Sequence, residues 1–268
     1  MARSQNRSKA VRKIQRMVLR KLGVPGLVVA VLVGLGFSFF DEGGDAAWAP
    51  SVSYASAEVG DGFPKHFDQA KDMVRDVHKN NRVEIYCGCE FDARSAIGSD
   101  CPIQTTSYEN RAGRIEWEHV VPASDFGRAR PCWKEGGRGH CEDQDPQFRM
   151  MHADPHNLWP AVGSLNAVRS NHRFGMVPRA STNQFGPCGF KIEERVVEPP
   201  DAAKGKVARS YLYMRDTYGH PIGSTQLRIF EAWDRQFPPT NWELQRNRKI
   251  ASIAGVENRF ISRYEQGG

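Results

Sequence analysis

The chain of 268 residues contains no internal repeat and no repeated Cys-x2-Cys pair. The first absence excludes solenoid and propeller architectures, and the second weakens a cysteine-built zinc site. Residues 1–21 hold no acid but eight bases (Arg3, Arg7, Lys9, Arg12, Lys13, Arg16, Arg20, Lys21), and Leu22 to Phe40 hold no charge at all. A basic stretch leading into 19 uncharged, mostly apolar positions reads as an export signal or a membrane anchor. Gly23, Pro25 and Gly26 weaken the first turns of a spanning helix, and Ala55-Ser56-Ala57 offers a small-x-small cleavage site, so a signal is favoured. In either case the basic flank stays inside and the folded part lies outside the cytoplasm; a membrane partner is expected only if the segment is uncleaved. Residues 1–57 are read as this leader and linker, and 58–268 as one folded domain.

The net charge of +6 invites a nucleic-acid reading. Residues 22–57 carry only Asp41, Glu42 and Asp45, so removing these three acids and the eight leading bases from totals of 31 and 37 leaves 28 acids and 29 bases. The folded part is nearly neutral, and any polyanion must be held by a local patch. With 40% hydrophobic and 25% charged residues it can bury one sizeable core.

Apolar positions at Phe67, Ala70, Met73, Val74 and Val77 predict a helix within Phe63 to Asn80. Short strands are expected over Val83 to Tyr86 and Ile115 to Val121. Asp154-Pro155 is read as a helix start, made short or irregular by Pro160 and Gly163. Val207, Tyr211, Met214 and Tyr218 form one apolar stripe, and Leu227, Phe230, Trp233 and Phe237 another. Glu243 to Tyr264 is expected to be a last helix.

Six cysteines, Cys87, Cys89, Cys101, Cys132, Cys141 and Cys188, all fall in the folded part. An even count in an exported chain points to disulfides, with 15 pairings possible. Zinc held by Cys-Gly-Cys and nearby histidines is the competing reading.

The run Glu116-Trp117-Glu118-His119-Val120-Val121-Pro122-Ala123 sets a carboxylate beside a histidine. Carboxylate oxygens suit Mg²⁺, and neutral imidazole accepts a proton near pH 7. On a regular strand the two side chains would point to opposite faces, with Glu118 solvated and His119 merely hydrogen-bonded. They serve one site only if the strand ends there, which Pro122 permits.

This run resembles the central motif of the bacterial endonuclease I family, secreted or periplasmic nucleases with a ββα-metal (His-Me finger) active site. Further matches follow in the family's order: Cys132-Trp133-Lys134 with Gly136-Gly137-Arg138, His156-Asn157-Leu158 with Pro160-Ala161, Arg169-Ser170-Asn171, and Ala208 to Met214. The resemblance spans roughly Tyr86 to Phe260. It implies an α+β fold stapled by disulfides, with a Cys132–Cys141 bridge framing Arg138. Cys87 and Cys89, too close together to pair comfortably, would then each join one of Cys101 and Cys188.

The same resemblance implies a metal-dependent endonuclease cutting DNA, with RNA left open, with little sequence preference and 5′-phosphate products. By the same route Glu118 and Asn157 would hold one Mg²⁺, with Ca²⁺ or Mn²⁺ able to take its place in binding. His119 would be the general base and Arg138 the phosphate clamp. Arg169, Asn171 and Arg173 are weaker candidates for nucleic-acid contacts, and no protein partner is inferred. His152 and Val168 stand where relatives commonly carry acids, and Leu244 and the tail lack cysteines found in some. Two rivals remain: an inactive, disulfide-rich nucleic-acid-binding protein, and an exported zinc protein.

Overall fold

The computed structural model describes residues 58–179 and 184–265; the segment read as signal or anchor lies outside them. No helix among the described residues is long and apolar enough to cross a membrane.

The fold is α+β, and its organising unit is a strand, a second strand and a helix. Strand β1 (Ile115–His119) pairs antiparallel with β2 (Leu158–Val162), in a register running from Ile115 opposite Val162 to His119 opposite Leu158. All of β2 is buried, as expected of a short apolar run bounded by turn residues. Pro160 is tolerated because this two-stranded ribbon asks no amide of it. At Gly163 the chain turns directly into a helix (Gly163–Arg169) that packs back on both strands. A Cβ at Gly163 would stand 2.6 Å from the Arg111 carbonyl oxygen and 2.9 Å from Glu116 Oε1, so the turn is tight enough to require glycine.

Around this unit lie, in chain order, α1 (Phe67–Val77), α2 (Glu109–Ala112), α3 (Ala123–Gly127), α4 (Pro131–Gln144) and α5 (Pro146–His152), with Gly163–Arg169 as α6. Then come β3 (Arg173–Phe174), β4 (Gln184–Pro187), β5 (Lys191–Glu193) and β6 (Val196–Glu198), followed by α7 (Asp201–Tyr218), α8 (Ser224–Gln236), α9 (Asn241–Ala254) and α10 (Arg259–Ser262). β6 sits between parallel β3 and antiparallel β5. The stripe Val207, Tyr211, Met214 and Tyr218 is buried on α7. Phe230 and Trp233 of α8 pack into the same core, with Leu227 and Phe237 partly buried against it. Helix α1 buries Ala70, Val74 and Val77, as its periodicity predicts.

Three expected elements differ. Val83 to Tyr86 is not a strand but a turn: the buried Glu84 carboxylate accepts the amides of Tyr86, Cys87 and Cys89, leaving only a single bridge between Val83 and Glu90. These side-chain bonds replace a strand ladder. The helix expected at Asp154-Pro155 is one 3-10 turn, Pro155–Asn157, with Asp154 accepting the His156 amide as cap; the residues after it are β2. Finally, Glu243 to Tyr264 is two helices, because Gly255 adopts φ 70° at the end of α9, a conformation that suits glycine.

The disulfides are Cys132–Cys141, Cys87–Cys188 and Cys89–Cys101. None of the six cysteines is free, so the thiolates that a zinc site would need are absent.

Candidate active site

The last two residues of β1 sit at the wall of a cleft of about 530 Å³, lined also by Arg111, Trp117, Ser124, Trp133, Arg138, Asn166, Ser170 and Asn171. Glu118 and His119 are anchored on opposite sides of the strand, as alternation demands, yet both line the cleft because β1 ends at His119 and the chain turns at Pro122, the cap position of α3.

Glu118 is 2% exposed. Its Oε1 accepts the Tyr86 hydroxyl at 2.8 Å and lies 2.9 Å from Arg169 Nη1. Burial raises the Glu118 carboxyl above its ordinary value, with the Arg169 charge and the Tyr86 bond opposing it. Tyr86, itself buried and facing that carboxylate, is held well above the usual phenol range and stays a donor.

His119 is 8% exposed, and its Nε2 lies 2.8 Å from the carbonyl oxygen of His152. A carbonyl can only accept, so Nε2 carries the proton and Nδ1 keeps its lone pair. Burial first, then the fields of His152, Arg138 and Arg169, lower the His119 pKa well below 6.5, so the ring is neutral at pH 7.

Arg138 is exposed on the cleft wall. It follows the break in α4 at Gly137, whose φ of 70° and ψ of −153° interrupt the helix, and Cys132–Cys141 ties together the two helical segments. Asn171 also lines the cleft, donating to Ser124 Oγ at 3.4 Å; it is reached through Ser170, whose φ of 51° is a strained turn for a non-glycine residue.

The structure does not bring the other sequence-predicted residues here. Asn157 is fully buried, and its amide is spent on one neighbour: Oδ1 accepts the Val121 amide at 2.7 Å and Nδ2 donates to the Val121 carbonyl at 2.9 Å. It fixes the turn after β1 and is no cleft ligand. Arg169, expected on the nucleic-acid surface, has no exposed area. Besides Glu118 it donates to the His119 carbonyl at 2.8 Å and to the Val120 carbonyl, and it lies 4.5 Å over the Phe174 ring; it braces the end of β1 from beneath. Arg173 is exposed but lines a separate pocket with Met176 and Gln226.

In place of Asn157 the fold offers Asn166, one turn into α6 and on the cleft wall. Its Nδ2 donates to Glu116 Oε2 at 2.9 Å. A carboxylate takes only donors, so the amide nitrogen is fixed toward Glu116 and the amide oxygen points away from it. Arg111 and Arg114 also bond Glu116. Burial would raise that carboxyl, but these bonds outweigh it and hold it low. The signal for Asn166 was present in the sequence: apolar Leu158 to Val162 ending at Gly163 is a buried strand followed by a turn, which places a helix, and so Asn166, directly after it.

The described residues contain no group of three or more His, Cys, Asp or Glu side chains able to hold a metal. The cleft instead offers the Glu118 carboxylate and the side-chain amide oxygens of Asn166 and Asn171. That sparse, hard-oxygen set fits Mg²⁺, which retains several waters and takes one or two protein ligands, and does not fit zinc.

A ββα unit carrying a histidine and a carboxylate at the end of its first strand defines the chain as a ββα-metal nuclease core. A model of the endonuclease I family matches residues 64–265, and the chain belongs to that family. It is 40% identical over 224 residues to an extracellular deoxyribonuclease of Aeromonas hydrophila, covering 80% of this chain and 97% of that one. It is 38% identical over 206 residues to endonuclease-1 of Buchnera aphidicola subsp. Acyrthosiphon pisum, covering 75% and 82%. A periplasmic deoxyribonuclease of A. hydrophila is 40% identical over 200 residues, covering 72% and 83%.

Proposed function

We propose that the protein is an exported, Mg²⁺-dependent endonuclease that hydrolyses phosphodiester bonds of DNA with little sequence preference, leaving 5′-phosphates, with His119 as general base. The observation that carries this reading is the His119 tautomer: with Nε2–H given to the His152 carbonyl, a neutral Nδ1 lone pair is left to take a proton from water. Glu118 and the Asn166 amide oxygen would hold the ion. When bound, Mg²⁺ supplies charge neutralisation at the phosphate and the leaving oxygen.

Arg138 acts on the same phosphate through its planar donor fork, whose bonds strengthen as negative charge accumulates. Asn171 and Ser124, which also line the cleft, are suited to sugar and phosphate oxygens, contacts that position a strand without reading its bases. The carbonyl bond at Nε2 keeps the His119 ring oriented through the proton transfer. DNA as substrate is supported by the deoxyribonuclease relatives. Export is supported by those relatives' extracellular and periplasmic names and by three disulfides.

A gel assay on plasmid and on RNA tests this. Cutting of plasmid is expected with Mg²⁺ and not with EDTA, and His119→Ala is expected to bind DNA without cutting it. Chelator-resistant cutting, or normal turnover by His119→Ala, would remove the proposed chemistry. DNA binding with no cutting by the parent protein would instead favour the inactive binding protein. Parallel RNA lanes decide whether RNA is a second substrate.

A further inference from the structure

We infer that His152 is a positioning residue for the base: its ring is a flat plate against which the His119 imidazole is held, while its own carbonyl takes the Nε2 proton. This rests on the role of His119 proposed above. The two imidazoles lie with centroids 4.6 Å apart and planes 3° from parallel. Phe67 covers both, at 4.9 Å from His119 and 4.7 Å from His152, and Phe148 stacks on His152 at 5.3 Å. Glu142 holds the assembly together. Its Oε1 accepts the Phe67 amide at 2.9 Å, which opens α1, and its Oε2 is 3.5 Å from His152 Nδ1.

The state of the His152 ring argues that its face is what matters. It is 1% exposed, and neither ring nitrogen makes a hydrogen bond, Nδ1 only facing Glu142 Oε2 at 3.5 Å. A polar ring so placed is poor core filling, since phenylalanine would occupy the site at no such cost. It is not charged at neutral pH either, because burial and the Arg138 charge push its pKa down to about 3. Planar surface is what the ring contributes.

That surface answers a specific need. The χ2 torsion of histidine is broad and roughly two-fold, and half a turn about it exchanges Nδ1 with a carbon. The hydrogen bond at Nε2 opposes such a flip at one edge only. A parallel plate on one face and Phe67 tilted against the ring remove the remaining freedom, so the Nδ1 lone pair keeps one direction. Hydrogen bond and plate both come from the last residue of α5, so they move together.

The test compares His152→Phe, His152→Leu and His152→Ala in the full protein, with thermal unfolding of each recorded so that rates are taken on folded material. Leu fills the volume without a flat face; Phe keeps the face without the nitrogens. Leu and Ala are expected to lower kcat about 5- to 10-fold, the scale of one lost aromatic contact, at unchanged KM for DNA. Phe is expected to restore most of that loss. Imidazole ¹H–¹⁵N correlation spectra without metal supply a readout independent of activity: a single Nε2–H tautomer for His119 in the parent and in Phe, and a mixture in Leu. Parent-like kcat and a single tautomer in Leu would overturn the inference, as would a Phe variant as impaired as Leu. If His119→Ala cut DNA normally, the base assignment would fall while the spectra still decided whether His152 fixes the ring.

Discussion

Arg169→Met probes the end of β1 most directly. The substitution keeps apolar volume against Phe174 but removes the guanidinium that lies 2.9 Å from Glu118 Oε1 and bonds the His119 and Val120 carbonyls. Breaking a buried ion pair at one partner costs about 3–5 kcal/mol, because the other charge is left without compensation. For a domain of this length each kcal/mol moves Tm by about 2–4 °C, so a fall of about 6–20 °C is expected at pH 8. The sign of its pH dependence follows from Glu118, whose carboxyl is already raised by burial and opposed by Arg169. Without Arg169 the folded carboxyl rises further and holds a proton that the unfolded chain has lost. The variant's deficit is therefore small near the unfolded carboxyl value of about 4.5 and widens as pH rises. Calorimetry in EDTA at pH 5 and pH 8, which keeps ion binding out of the comparison, measures both numbers. Arg169→Lys should recover only part, since an ammonium lacks the fork that spans a carboxylate and two carbonyls. A gap below about 2 °C at pH 8, less than 1 kcal/mol on the same scale, or a gap equal at both pH values, would refute the reasoning.

Asn166→Ala should lower cleavage more than about 100-fold, since even the outer partners of metal ligands cost 10- to 100-fold, with little change in Tm. Asn157→Ala should do the reverse, losing about 2–4 kcal/mol with two buried bonds to Val121; equal effects of the two on rate would put the ligand assignment back in question. Acid should destabilise the protein, because burial holds His152 and His156 down to about 3 and His220 to about 4. There is no penalty above the unfolded value of about 6.5, and below it each histidine loses about 1.4 kcal/mol per pH unit. Asp154, pushed up to about 6 by burial, offsets part of this by gaining a proton in the folded state. Urea midpoints that stay level from pH 7 to pH 5 would contradict that account. The double variant Cys132→Ser/Cys141→Ser should cost about 2–3 kcal/mol for its short loop and lower kcat/KM by freeing Arg138. Unchanged kcat/KM in the folded variant would separate the bridge from the site.

Much of the fold was legible because its signals are local. The apolar spacing of α1, α7 and α8, the cap at Asp154 and the stop at Pro122 each act over a few residues. The misreadings arise where a single residue or a distant pairing overrides the local pattern, as Gly255 does in ending α9 with φ 70°. Val83 to Tyr86 has strand-forming residues, but the amides that follow are taken by Glu84. Leu158 to Val162 follows a cap and reads as helix, yet pairs with β1 some 40 residues earlier. Asn157, taken as a ligand from the family resemblance, stands nine residues before Asn166 and bonds Val121 instead of facing the cleft.

By itself the sequence determined the chemistry at the end of β1, a carboxylate and an imidazole made neighbours at Glu118 and His119 and released from strand alternation by Pro122. It also pointed to pairing of the six cysteines, which the three disulfides bear out, and to a folded part whose net charge would not mark a substrate surface. Tertiary structure decided how the polar residues divide between the cleft and the core behind it. Asn166 is presented at the cleft because Glu116 holds its nitrogen, while Arg169 is drawn beneath the strand by a buried carboxylate and two carbonyls, and the His119 ring is packed by Phe67 and His152. The reason is physical: an arginine or asparagine side chain has the same donors and acceptors wherever it sits, and only the partners that folding brings within about 3 Å fix which of them remain for a substrate.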